Sequence, residues 1–87
     1  MIKVKEATDK AKEHLLAFFP DAEQVQLEEV ELSEDKAYWL ITLSYEGVSS
    51  SVASSMLVGK SLLYKIFKLD VKNGEVISMK IKTLSKL

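Results

Sequence analysis

The residues with chemical potential in this chain fall into three groups. The first is Gly59-Lys60-Ser61, which has the closing letters of a phosphate-binding loop. Such a loop needs a glycine five residues before Gly59, a strand ahead of it and a helix behind it. Ser54 occupies the glycine position, and the residues after Ser61 read as a strand, so the context for phosphate binding is missing. The second is a run of candidate nucleophiles, Ser49, Ser50, Ser51, Ser54 and Ser55, with His14 as the single histidine. A nucleophilic serine needs a base held in place by a third group. His14 lies on the flank of an amphipathic helix between Ala11 and Phe18, where a histidine packs at the edge of a core, so a small serine hydrolase is the weakest of the readings. The third is the carboxylate run Glu28, Glu29, Glu31, Glu34 and Asp35. It lacks the alternating Asp/Asn ligands and central glycine of a calcium loop. It fits a solvated acidic edge that discourages strand-to-strand aggregation. With one histidine and no cysteine, transition-metal binding has no ligand set. No catalytic residue, cofactor site or metal site is expected.

Composition narrows the function further. The chain has 87 residues, enough for one domain spanning 1–87. Its 12 basic residues are all lysines, set against 13 acidic ones, for a net charge of −1. That balance gives no electrostatic case for nucleic acid, and the lack of arginine removes the best phosphate fork. Lys5, Glu6, Asp9, Lys10, Lys12 and Glu13 interrupt any apolar run near the N-terminus, and no stretch reaches the length of a membrane span. As written the chain is expected to be soluble and cytoplasmic, and extracytoplasmic if a leader has been removed.

The elements follow from periodicity. Val4, Ala7, Ala11, Leu15 and Phe18 recur at helical spacing and predict a helix over 2–19, ended by Pro20. Glu6 and Lys10 are spaced as a favourable i,i+4 pair. Residues 24–32 predict a strand whose two apolar pairs, Val25/Leu27 and Val30/Leu32, are out of phase, which a bulge near Glu28-Glu29 would reconcile. Ser33 to Lys36 reads as a turn. Residues 37–46 predict a strand with Trp39, Ile41, Leu43 and Tyr45 on the face toward the helix and Tyr38, Leu40, Thr42 and Ser44 on the other. The serine-rich stretch 47–61 reads as a connection.

Tyr64 to Leu84 reads as a hairpin closed by a three-residue loop, Lys72-Asn73-Gly74, with Gly74 in the left-handed region. The register predicted from that loop pairs Val71 with Glu75, Leu69 with Ile77, Phe67 with Met79 and Lys65 with Ile81. It assigns Phe67, Leu69, Ile77 and Met79 to the core and places Tyr64 and Ile66 on the opposite face. The expected fold is therefore α+β: one N-terminal helix packed on one face of a four-stranded antiparallel sheet, in the order α-β-β-loop-β-β. One helix cannot cover both faces of four strands. Tyr38, Leu40, Tyr64 and Ile66 are thus expected to form an exposed interaction surface on the uncovered face.

The chain resembles the PepSY and PepSY-like domains. The residues that carry the resemblance are Phe18-Phe19-Pro20-Asp21-Ala22 at the end of the helix, Tyr38-Trp39-Leu40-Ile41-Thr42-Leu43 in the second strand, and Phe67 to Val76, FKLDVKNGEV, in the closing hairpin. The resemblance implies a helix on an antiparallel sheet. It also implies a non-enzymatic module, often extracytoplasmic, linked to peptidase inhibition or regulation. It supplies no catalytic residue. The expected function is a non-catalytic binding or regulatory module that engages a protein or peptide through an edge strand, the free sheet face or the 47–61 loop. The alternative is a self-associating domain, a homodimer formed through the uncovered face.

Overall fold

The structure is a computed structural model and describes residues 1–48 and 60–82. Helix α1 spans Val4–Phe18 and is followed by four strands: β1 Glu23–Leu32, β2 Tyr38–Val48, β3 Lys60–Asp70 and β4 Val76–Ile81. The strands form one antiparallel sheet in the order β1-β2-β3-β4, with α1 on one face. The α+β architecture expected from the pattern is the observed one. Among the described residues, no helix is long and apolar enough to cross a membrane.

Helix α1 begins two residues later than predicted because Ile2 is engaged elsewhere. Its backbone N–H donates to the Val71 carbonyl at 2.6 Å, and its carbonyl accepts from Trp39 Nε1 at 3.1 Å. These bonds tie the start of the chain to the β3–β4 turn and to β2 before the helix begins. Ala7, Ala11 and Leu15 are fully buried against the sheet, so the two alanines do allow close backbone approach. The ends of the predicted stripe do not pack: Val4 and Phe18 are exposed. Among the described residues the helix's ion pair is Lys5 with Asp9, at 3.2 Å, rather than Glu6 with Lys10. Lys10 instead runs its stem over Gly74.

The helix face of the sheet is the core. Ile41, Leu43 and Tyr45 from β2 and Phe67 and Leu69 from β3 are buried there, with Val30, Trp39, Leu63, Val76 and Met79 packed around them. Burying a side chain such as Leu15 or Phe67 contributes roughly 1.5–3 kcal/mol. Burial also pushes the Tyr45 hydroxyl above its ordinary pKa. Gly47 passes beside the Tyr45 ring, where a β-carbon would stand 2.9 Å from Cε2.

The bulge in β1 falls where the phase change requires it. Leu27 pairs with Leu43 and Glu29 with Thr42, so Glu28 is the extra residue, and Val30 and Leu32 come back onto the helix face opposite Ile41 and Trp39. A second irregularity lies between Glu23 and Gln26. Leu27 remains 44% exposed.

Two expectations are corrected. The strands of the central hairpin run further than predicted: Gly47 pairs with Ser61 and Val48 with Lys60, so those four residues belong to the sheet and not to a connection. The serines at 49, 50, 51, 54 and 55, with Gly59, lie outside the described residues. The second correction concerns the closing turn. The Asp70 N–H donates to the Glu75 carbonyl and the Gly74 N–H to the Asp70 carbonyl, so the loop is the four residues Val71 to Gly74. Asp70 and Asn73 hold it, accepting from the backbone N–H groups of Lys72 and Glu75 through Oδ1 at 2.7 and 2.8 Å. Gly74 is left-handed, with φ 76°, as predicted. The longer loop moves the register near the turn by one. Leu69 pairs with Val76 and Ile77 becomes a bulge, while Lys68 keeps Ser78, the partner that the predicted register gives it. Beyond it the predicted pairs Phe67–Met79 and Lys65–Ile81 hold. Val76 therefore takes the core position assigned to Ile77, which is 49% exposed.

Candidate interaction surface

The sheet face away from α1 is assembled from alternate residues of all four strands. Residues paired directly across neighbouring strands share a face, so the register writes this surface as rows. One row runs Glu31, Leu40, Lys68, Ser78, and the next Glu29, Thr42, Ile66, Lys80. A third runs Gln26, Ser44, Tyr64, and reaches Lys82, whose N–H donates to the Tyr64 carbonyl. Tyr38, opposite Asp70, lies beyond the first row. The four residues singled out as an interaction surface, Tyr38, Leu40, Tyr64 and Ile66, do come together on this face.

Their setting differs from the expected exposed patch. Each of the four is half-buried, not exposed. Between them sit Thr42 and Ser44, polar residues that are buried on the side away from the helix. Ser44 Oγ donates to Glu28 Oε2 at 2.7 Å, which satisfies the buried hydroxyl. Lys68 lies with its ammonium 4.3 Å from the centre of the Tyr38 ring, a cation–π contact that shields that ring from water. Leu62, two residues before Tyr64 and on the same face, is 58% exposed and is the large apolar side chain this surface offers most openly. Leu62 falls outside the surface expected from the sequence because the strand predicted there begins at Tyr64, whereas β3 begins at Lys60.

Charge is distributed unevenly over the face: Glu46, opposite Leu62, and Asp70, opposite Tyr38, lie on the two central strands, and the outer strands carry opposite signs. Glu28, Glu29 and Glu31 line the β1 side, while Lys80 and Lys82 line the β4 side, with Lys68 next to them on β3. One interaction spans the surface: Lys82 Nζ lies 3.1 Å from Glu29 Oε1, joining the two edge strands across β2 and β3. The acidic run, expected as a solvated edge, divides between β1 and the turn that follows it. Glu28, Glu29 and Glu31 are exposed on the edge strand β1, and there they also form the acidic rim of this face. The other two members of the run belong to the β1–β2 turn. There Asp35 Oδ1 accepts from Ser33 Oγ at 2.6 Å and from the Ala37 N–H at 3.0 Å. These bonds, Ser33 first and Ala37 second, hold the Asp35 carboxyl below its ordinary pKa.

The two edges are poor templates for another strand. β1 carries two irregularities, and β4 is short and bulged at Ile77. Both are devices that blunt edge pairing. Near α1, His14 packs against Phe18 and Phe67, with ring centroids 4.9 and 6.2 Å away. It borders a shallow groove with Lys10, Glu13, Ala17, Gly74 and Val76. Its neighbours are those of an aromatic side chain at the rim of a core. Lys60 and Ser61 lie in a strand, paired with Val48 and Gly47, and not in the first turn of a helix. Among the described residues no group of His, Cys, Asp and Glu is arranged to hold a metal ion. Lys65, on the helix face, stands over the Phe19 ring at 5.0 Å, and burial lowers its pKa.

No protein-family model matches this chain, and no curated protein or solved structure does.

Proposed function

We propose that this chain is a non-catalytic binding module whose contact surface is the sheet face away from α1. The observation that carries the reading is the make-up of that face. Half-buried Tyr38, Leu40, Tyr64 and Ile66 surround two buried polar residues, the exposed Leu62 stands beside them, and charged residues of opposite sign line the two sides. Apolar residues inside a charged border match the anatomy of protein interfaces. The bulges in β1 and β4 favour the face over the edges. A kinship with PepSY-like modules is part of the proposal, supported by the helix-then-meander order and the FKLDVKNGEV hairpin.

A photo-crosslinking amino acid at Leu62 tests this in cells that make the protein. Lys5, whose side chain is 87% exposed on the outer side of α1, is the control position. The expected result is an adduct from Leu62 that Lys5 does not give and that Tyr64→Glu abolishes. Identical patterns from the two positions, or no adduct from Leu62, would refute the proposal.

A further inference from the structure

We infer that the occupant of this face is a second copy of the same chain, related by a twofold axis that runs parallel to the strands between β2 and β3. The inference rests on the binding role of the face proposed above and identifies its partner. It follows from how charge is distributed across the rows.

A twofold axis lying in the plane of the face can run in two principal directions. An axis perpendicular to the strands lays β1 on β1 of the other copy and β4 on β4. That stacks Glu28, Glu29 and Glu31 on their own equivalents, and like charges brought together in an interface oppose association. An axis parallel to the strands exchanges the sides. β1 of one copy then covers β4 of the other, and each row meets itself reversed. Glu29 comes over Lys80, Thr42 over Ile66, Leu40 over Lys68 and Ser44 over Tyr64. Glu29 and Lys80 are the opposite charges that this register superposes, while Glu31 meets Ser78 and Gln26 meets Lys82, and symmetry doubles the Glu29–Lys80 contact. A closed, self-complementary pairing of this kind is the commonest form of homo-oligomer. The strands of the two sheets stay close to aligned, as stacked sheets prefer.

The face is small. Four strands about 4.8 Å apart and some seven residues rising about 3.4 Å each give roughly 19 by 24 Å per copy. That is at the low end of specific interfaces, so the dimer is expected to be weak, with a dissociation constant in the micromolar range. Its charged contacts also make it sensitive to salt.

The test uses two variants of the whole chain, each checked for folding by circular dichroism. Glu29→Lys with Glu31→Lys makes both borders basic, and Lys80→Glu with Lys82→Glu makes both acidic. Sedimentation velocity over a concentration series should show the unaltered chain dimerising and each variant weakened by about tenfold or more, consistent with the two symmetry-related Glu29–Lys80 pairs turned repulsive. An equimolar mixture of the two variants should dimerise again. Each variant also loses the internal Lys82–Glu29 pair, and mixing cannot restore it within either chain, so recovery in the mixture reports contacts between chains. An unaltered chain that stays monomeric at several hundred micromolar would overturn the second copy. So would variants that dimerise as well as the parent, or a mixture that does not recover. The Leu62 crosslink separates this failure from failure of the binding role. An adduct at the mass of two copies supports the inference. An adduct at another mass, or one closed within the chain onto residues 49–59, removes the second copy as occupant. No adduct removes the binding role itself.

Discussion

Substituting Gly74 separates two costs that the closing turn imposes on its fourth residue. The first is conformational. At φ 76° an L-residue with a β-carbon pays roughly 1–2 kcal/mol, offset by about 0.4–1 kcal/mol because alanine constrains the unfolded chain more than glycine does. The second is steric. A β-carbon at Gly74 would collide with Lys10 Cδ and would come within 2.7 Å of Lys10 Cε and 2.9 Å of Ile2 Cδ1. The Lys10 stem can swing away toward solvent, at the loss of some packing. Ile2 can turn its terminal methyl, but its backbone is held by the bonds to Val71 and Trp39. Gly74→Ala is therefore expected to cost about 1–2 kcal/mol, which for a domain of this size lowers the melting temperature by roughly 4–15 °C. Gly74→Asn tests the division, since asparagine tolerates the left-handed region while carrying the same β-carbon. If conformation dominates, Asn is milder than Ala. If the collision dominates, Asn is no better, and adding Lys10→Ala to Gly74→Ala recovers most of the loss. A double-mutant cycle in urea measures that coupling directly. Gly74→Ala within about 0.5 kcal/mol of the parent, the range of an ordinary surface change, would mean that neither cost is present and that the turn is not the one described.

The bulge at Ile77 makes an inverted prediction for neighbouring residues. Val76→Ala should cost about 1 kcal/mol or more through a packing defect beside Leu69, while Ile77→Ala at a half-exposed bulge should stay within about 0.5 kcal/mol. Denaturant midpoints of the two variants decide it, and the reverse order would restore the three-residue loop and its register. Asp35 provides a pH test with a defined sign. Its folded carboxyl lies below the ordinary value of 3.8, so its contribution is complete above that value and is lost as pH falls through the lower folded pKa. Melting curves of the parent and Asp35→Asn should differ near neutrality and converge in acid; a constant offset at every pH would show that the carboxylate's charge has no part in holding the turn. Tyr64→Glu should leave the melting temperature nearly unchanged while removing the Leu62 adduct, because Tyr64 lies on the sheet face away from α1 and not in the core. A collapse of the fold would place Tyr64 among the residues that hold the sheet together.

The parts of this molecule that were legible in the sequence are those governed by strict periodicity. Trp39, Ile41, Leu43 and Tyr45 alternate without interruption, so their face was fixed by the chain alone, and the buried strip of Ala7, Ala11 and Leu15 followed from helical spacing in the same way. The β1 bulge was legible too, because two apolar pairs out of phase leave few other solutions. The β4 bulge was not, since Val76 and Ile77 are both aliphatic and either can fill the place beside Leu69. What selects Val76 is the length of the loop, and that depends on the Asp70 and Asn73 side chains capping a four-residue turn. The helix start was hidden for a related reason: Ile2 fits the apolar spacing, but a tertiary bond from Trp39, 37 residues away, takes its carbonyl. The acidic run shows the same limit at the level of function. Each glutamate read alone is a solvated charge on an edge strand. Its significance appears only when the β1–β2, β2–β3 and β3–β4 registers are carried through together, placing Glu29 and Lys80 at opposite ends of one row. A surface shared by four strands is a property of their combined register, and an error of one residue in any pairing sends half of that surface to the other side of the sheet.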